Sequence, residues 1–538
     1  MNNKGIKRLF LIFSIITIGL IISACSSDTG SDDTNNEGDS GAQSGEPQQG
    51  GILNVGLSSN PNTLDPIRYT GVYESQIMRS IGNTLIVYNK DLSGFDPSIA
   101  TEWEPSEDLM SFTFKLRDDV YFQEGEYQDG RQMTAEDVKF SLERSSEESA
   151  LNRLAGVESV EVVDEFEVKI HLEEPNSALL AMLTDRGNII VPKEEVEGWG
   201  DAFGANLVGT GPFTLKNWQT DQQVELVRHD NYWGETPNLD GVTYKIISDP
   251  TMMTNALRSN DIDIATDIKG QNREVIEQDP NLELQSKNGL TLTYIDMNNQ
   301  EGPTADPKVR EAIYKATNVE EIVQGVNQWG GASVSYAPIP KESWAYSEEL
   351  ESLKPEYDPE AAKELLAETD YADGFKTELH VLESRVPYAT IFQNQMKENL
   401  NIDVDVKVSE WGTLSDTASK GNSPFYIGGW AWYPDPYFFL NQLYHSDQIG
   451  SLGNGRGYDN SKVDELLDQA LTGTADQEER TALYQEAIEI MMGDYSRIEL
   501  DNLDTTAAVS PQVGGFEIMA DGSINIVDPN GTNVWVSR

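Results

Sequence analysis

Cysteine is almost absent: Cys25 stands alone among 538 residues. A single thiol excludes an intramolecular disulfide, a cysteine-ligated metal site and a thiol-based enzyme. Histidine is nearly as scarce, and His171, His229, His380 and His445 lie so far apart that only the fold could gather them into a metal site. Basic charge is short as well, with 38 Lys and Arg facing 91 Asp and Glu, a formal charge of −53. Phosphate contacts need clustered cations, so this balance argues against a nucleic-acid partner and against docking on an anionic membrane through a basic patch. No Gly-x-Ser-x-Gly elbow, His-Glu-x-x-His pair, Walker loop or Gly-x-Gly-x-x-Gly fingerprint occurs. Acid pairs such as Asp261/Asp263 and Asp403/Asp405 arise by chance at this density. We therefore expect no catalytic residue, no metal and no cofactor.

What the chain does hold begins with an export signal over residues 1–24. Lys4, Lys7 and Arg8 precede an apolar run from Leu9 to Ile22, whose 14 residues fall short of the roughly 20 that a membrane span needs. Ile22-Ser23-Ala24 then leads into Cys25 and resembles a bacterial lipobox. That implies a diacylglyceryl cysteine and a two-chain anchor on the extracytoplasmic face of the membrane. Residues 25–50 are dominated by Ser, Gly, Asp, Asn, Gln and Glu and read as a flexible acidic tether. The rest is long enough to bury a large core in two to four domains. Its acidic surface suits a setting where salt screens like charges, the Debye length falling to about 3 Å at 1 M.

Within the body, Gly51 to Leu57 predicts a first strand, and alternation at 111–116 and 160–172 predicts half-buried antiparallel strands. Thr134-Ala-Glu-Asp137 has capping-box chemistry and opens a helix that runs through Arg144. Helices are expected at 307–317, 359–368, 389–399, 461–471 and 477–492, interleaved with strands and without an internal repeat. Gly453-Asn-Gly-Arg-Gly457 has the wrong spacing for a dinucleotide turn and reads as a mobile loop.

Three longer stretches carry a resemblance. They are Leu116-Arg-Asp-Asp-Val-Tyr-Phe122 with the run Asp129 to Arg144, Val208-Gly-Thr-Gly-Pro-Phe213 with Arg228 to Gly234 and Leu239-Asp240, and Asp306 to Ala312. Thr63-Leu-Asp-Pro66 and Leu257 to Asp263 add to them. In this order, from about Gly51 to the 490s, they are similar to the family-5 extracellular solute-binding proteins, the oligopeptide, dipeptide and nickel group that serves bacterial ABC importers. Several of these residues read as frame: Gly209 and Gly211 as a turn needing glycine freedom, Tyr232 and Trp233 as packing anchors, Arg310 as a tie to a carboxylate. The resemblance implies an α/β, two-lobed fold of the periplasmic-binding-protein type (class II-like). Lobe I would gather 51–87, 208–292 and 505–538, an inserted subdomain would cover 88–207, and lobe II 293–504, with a ligand cleft between the lobes. It further implies a monomeric binding subunit, not an enzyme, that closes on oligopeptides or dipeptides and docks on a permease and ATPase. The same fold importing an oligosaccharide, opine or nickel chelate is the alternative, and an exported hydrolase a more distant one.

The family's ligand-reading segment resembles Gly428 to Leu440. By that resemblance Gly428, Gly429 and Trp430 would pair backbone to backbone with an added peptide strand, and Trp430, Trp432 and Tyr433 would wall the side-chain pockets. Peptide-binding members commonly place an aspartate three residues before the Asp-Pro pair to hold the ligand's α-ammonium. Aligned on Asp435-Pro436, that position here is Trp432. A buried ammonium needs a charge partner, so Asp435 or Asp267 would have to supply it. Thr266, Tyr73, Glu74 and Trp411 complete the expected cleft contacts. The added aromatic surface suits sugar rings, apolar groups and cations.

Overall fold

The computed structural model describes residues 46–537; the export signal, Cys25 and most of the tether lie outside them. Strand β1 (Ile52–Leu57) buries Leu53, Val55 and Leu57 on the alternation its sequence shows. Strands β2 (Ala100–Pro105), β3 (Ser111–Leu116), β4 (Val157–Asp164) and β5 (Glu167–Leu172) make a separate antiparallel sheet in the order β2-β3-β5-β4. Its Phe112, Phe114 and Ile170 share one core with Phe439, Leu443 and Tyr484.

The main sheet joins β1 to β6 (Phe213–Gln219), β7 (Gln223–Arg228), β8 (Gly241–Ile246), β9 (Ile264–Thr266) and β10 (Glu283–Met297). It continues with β11 (Ala332–Val334), β12 (Lys376–Val381), β13 (Asp403–Val408), β14 (Phe425–Ala431) and β15 (Arg497–Val509). The order is β13-β12-β14-β10-β15-β9-β1-β8-β7-β6, with β11 also paired to β15. Strands β10 and β15 bridge the two halves. One end of β15 runs beside β9, at Thr266↔Ala507, while the far part of β10 pairs with β14, at Thr291↔Ala431. Between them the β10–β15 register slips at Asn288/Thr291 and again at Thr293/Tyr294.

Helices α1 (Val72–Ile81) and α2 (Ala135–Glu148) flank this frame. The Thr134 amide donates to the Asp137 carboxylate at 2.9 Å, as a capping box requires. Near the other end of α2, Arg144 donates twice to Asp65 at 2.8 Å, joining the Thr63-Leu-Asp-Pro66 turn to the helix. Arg117 lies 4.6 Å over the Trp233 ring, and Tyr232 and Trp233 pack 5.2 Å apart, so these motif residues hold the frame together. The remaining expected helices form at Pro307–Lys315, Pro359–Ala367, Val386–Leu400, Ser461–Asp468 and Gln477–Gly493, with a π-helical turn over Gln469–Gly473.

Three frame expectations are corrected. Arg310 donates to the backbone carbonyls of Thr304, Ala305 and Asp494 rather than to a carboxylate, because two loop ends converge on its guanidinium. Gly209 and Gly211 do not have positive φ; a Cβ on either would sit 2.5 Å from the backbone of Ile81, so close approach is what requires them. Gly453 to Gly457 is a packed loop: Arg456 is buried 4.4 Å from the Tyr444 ring and 3.5 Å from Asp296.

Candidate functional site

Several separate stretches of the chain converge on a cavity of about 460 Å³. Helix α1 presents Val72, Ser75, Gln76 and Arg79, the i, i+3, i+4, i+7 face, toward it. Leu151 to Arg153 and Thr184 to Arg186 come from the region around the small sheet, and Met519 to Asn525 from the C-terminal segment. Ala431 to Pro434, where the chain leaves β14, line it as well.

Trp432 and Tyr433 form the aromatic wall. Trp432 lies parallel to Phe438, with ring centres 6.1 Å apart, and stays 39% exposed, so it is fixed from behind and open in front. The buried Tyr433 hydroxyl donates to Asp185. Burial first, and then the Asp185 charge, hold this phenol well above its ordinary range, keeping it a donor. Asp185 also accepts from the Tyr69 hydroxyl at 2.8 Å and pairs with Arg153 Nε at 2.7 Å. Across the cavity Arg79 pairs with Asp521 at 3.4 Å. A larger recess of about 820 Å³ opens near Asn60, Glu124 and Trp218, but it contains none of the expected site residues and no convergent aromatic wall. Apolar faces with a few fixed polar groups favour the smaller cavity as the site.

Gly428, Gly429 and Trp430 lie on β14 beside this wall. One edge of β14 is paired with β10 along its length. The other meets β12 only at Phe425 and Tyr426, so from Ile427 onward that edge has no strand partner among the described residues. Arg385 caps its start, Nη1 donating to the Ile427 carbonyl at 3.3 Å, and a Cβ on Gly429 would strike this guanidinium. Trp430 turns its indole inward, Nε1 donating to the Phe438 carbonyl at 2.7 Å, which makes it a packing residue rather than an open wall.

The other expected contacts are placed elsewhere. Asp435 is buried against Arg480, 3.0 Å away, and its second role is to accept from the Tyr437 amide. Asp267 meets a cation, but that cation is Lys269, 2.5 Å away on its own turn. Thr266 pairs within the sheet at Ala507. Tyr73 and Glu74 fall on the face of α1 turned from the cavity, where Tyr73 shares a hydrogen bond with Ser58 at 2.6 Å and Glu74 accepts from the Asn62 amide at 2.8 Å. Trp411 begins the helix Trp411–Ser419, 51% exposed, and does not line the cavity. The sequence reading missed Arg79, Arg153, Asp185, Arg186 and Arg385; only the spacing of Gln76 and Arg79 on one helical face offered a signal. Among the described residues no group of three His, Cys, Asp or Glu is placed to hold a metal ion, and no helix is long and apolar enough to cross a membrane.

A cavity beside two strands that bridge the halves of one sheet, walled by aromatics and fixed ion pairs, is suited to enclosing a small solute. The chain matches the model of bacterial extracellular solute-binding proteins, family 5, over residues 94–451. It is 30% identical to Heme-binding protein A of Haemophilus influenzae over 468 residues, 81% of this chain and 84% of that one. It is 30% identical to the probable D,D-dipeptide-binding periplasmic protein DdpA of Escherichia coli over 482 residues, 86% and 91% of the two chains. Among solved structures, the periplasmic binding protein DppA of Helicobacter pylori, in complex with the peptide STSA, superposes with a TM-score of 0.75 at 27% identity, covering 91% of this chain and 99% of that one. The chain belongs to the family-5 extracellular solute-binding proteins. It is thus an extracytoplasmic, two-lobed binding subunit of an ABC importer, not an enzyme.

Proposed function

We propose that this subunit captures short peptides, lying along the open edge of β14 with side chains against Trp432 and Tyr433. The observation that carries the reading is that edge: beyond the Ile427 carbonyl, which Arg385 caps, it has no strand partner among the described residues, and it ends at Ala431 on the aromatic cavity. Backbone pairing is common to all peptides and makes binding tolerant of sequence. A cavity of about 460 Å³ falls within the roughly 300–1,000 Å³ of small-ligand sites and favours short solutes. The names of the E. coli and H. pylori relatives support the same class. The paired strands β10 and β15 serve as the hinge between lobe I (51–87, 208–292, 505–538) and lobe II (293–504), with 88–207 as the inserted subdomain. The chain works as a monomer held at the membrane by lipid on Cys25 and delivers its solute to the permease and ATPase.

The replacement of the family's aspartate by Trp432 favours a second reading, a non-peptide solute such as an opine, oligosaccharide or nickel chelate. A thermal-shift screen of the full chain separates the two. Peptides of two to four residues at 100 times Kd should add about 2.7 kcal/mol of stability. N-acetylated forms should do equally well, because Asp435 and Asp267 are both engaged with protein cations. Stabilisation by sugars, opines or nickel–histidine alone would overturn the peptide reading.

A further inference from the structure

Behind β14 lies a second polar assembly, none of whose members lines the cavity. Arg456, Arg497, Asp296 and Glu499 are each 5% exposed or less. A Cβ on Gly428 of β14 would strike the Tyr294 ring, and Arg497 lies 3.6 Å over that same ring. Both guanidiniums turn to one oxygen: Arg497 Nε donates to Asp296 Oδ1 at 2.5 Å, and Arg456 Nη1 lies 3.5 Å from it. The rest of each fork is unanswered. Arg456 Nε and Nη2, and Arg497 Nη1 and Nη2, are buried without a hydrogen-bond partner. Glu499 Oε1 is 4.0 Å from Arg497 Nη1 and accepts instead from the Tyr444 hydroxyl. Among the described residues no other carboxylate pairs with either arginine. Burial raises Glu499 to about 7, so at pH 6 it is protonated and two cations face the single charge of Asp296. The Tyr294 and Tyr444 phenols, held above their ordinary range first by burial, add no charge. Burial lowers Arg456, and repulsion from Arg497 lowers it further. Buried polar groups are nearly always paired, and an uncompensated buried charge is costly. Water would complete the hydrogen bonds and leave the charge, whereas an anion answers both.

We propose that Arg456 and Arg497 together hold a small inorganic anion of chloride size at the unpaired ends of their forks. The anion braces the Tyr294 ring behind β14 and makes the stability of the folded chain depend on its supply. This site shares no residue with the solute cavity and stands whether or not the solute is a peptide.

The probes are chloride and bromide. Urea unfolding of the full chain at pH 6 is followed in sodium chloride and in sodium gluconate at equal sodium, so that screening of the acidic surface is the same in both. Above the dissociation constant, each tenfold rise in chloride should multiply the folded-to-unfolded ratio by about ten relative to gluconate. Arg456→Gln leaves one cation facing Asp296 and should remove the difference between the two salts. Crystals soaked in bromide should show an anomalous peak within hydrogen-bonding reach of both guanidiniums. Equal stability of the unmodified chain in the two salts would overturn the proposal, and a bromide peak would then mean binding at crystal concentration only. A chloride dependence that survives in a folded Arg456→Gln chain would overturn it too, by placing the anion elsewhere. If Arg456→Gln fails to fold, the bromide map decides: a peak at both arginines sustains the proposal, and no peak there overturns it.

Discussion

Glu499 sits on β15 in a buried knot with Arg497, Arg456, Asp296 and Tyr444. Arg497 donates to Asp296 at 2.5 Å, and the Tyr444 hydroxyl donates to one Glu499 oxygen at 3.1 Å. The other Glu499 oxygen has no hydrogen-bond partner. Burial outweighs the nearby Arg497 charge and raises Glu499 from its ordinary 4.5 to about 7. The folded chain then holds this proton more tightly than the unfolded chain does. Between about pH 4.5 and pH 7 the native state carries the extra proton, so this residue's contribution to stability falls as pH rises through that window. The loss amounts to about 3 kcal/mol by pH 8. Glu499→Gln keeps the shape and removes the proton: urea unfolding should show the variant gaining on the parent by about that amount between pH 5 and pH 8. A constant difference across that range would mean that Glu499 is ionised in the folded chain. Asp435, an expected site residue, is a different case: its carboxylate is paired with Arg480 at 3.0 Å. A carboxylate beside a Pro near the cleft is held by Arg480 and is thereby withdrawn from the solute.

At the scale of elements, the motifs that marked the family prove to be clasps between segments. Arg144 on α2 and Asp65 in the turn after β1 are 10% and 3% exposed at their side chains, and they tie the helix beside the small sheet to the first loop of the main sheet. Truncating one partner strands the other charge in the interior, so Arg144→Met should lose about 3–5 kcal/mol in urea unfolding. Pairing it with Asp65→Asn should recover part of the loss, since no orphan charge then remains; equal losses in single and double variants would show that packing, not charge, dominates. This contrast also explains what was legible in the sequence. Alternation in β3 and β5, the Thr134 cap and the helix over 477–493 depend on residues a few positions apart, and they appear as expected. The aromatic wall was legible because Trp432 and Tyr433 are adjacent. The cavity's charges were not: Arg79 and Asp521 are 442 positions apart, and Tyr433 reaches Asp185 across 248. Nor was the inward turn of Trp430, which depends on a carbonyl of the following helix.

For the molecule as a whole, binding serves an importer by changing the relation of the lobes, and on the hinge proposed above that change passes through β10 and β15, the strands that join the halves of the main sheet. The register slip at Asn288/Thr291 brings Gly289 against β15, where a Cβ would lie 2.6 Å from the Leu503 carbonyl oxygen. Such a contact is far inside van der Waals range, so Gly289→Ala penalises this strand geometry while adding nothing to the cavity lining. In this conformation Ala431 and Trp432, on the lobe II side of the boundary proposed above, line the cavity together with α1 on the lobe I side. Disfavouring it by about 1–3 kcal/mol, the usual penalty of an overpacked position, should therefore weaken solute binding by roughly ten- to a hundredfold. Small-angle scattering should show the parent contracting on saturation with peptide and the variant contracting only at higher concentration. Unchanged affinity in a folded Gly289→Ala chain would mean that the lobes move about some other line.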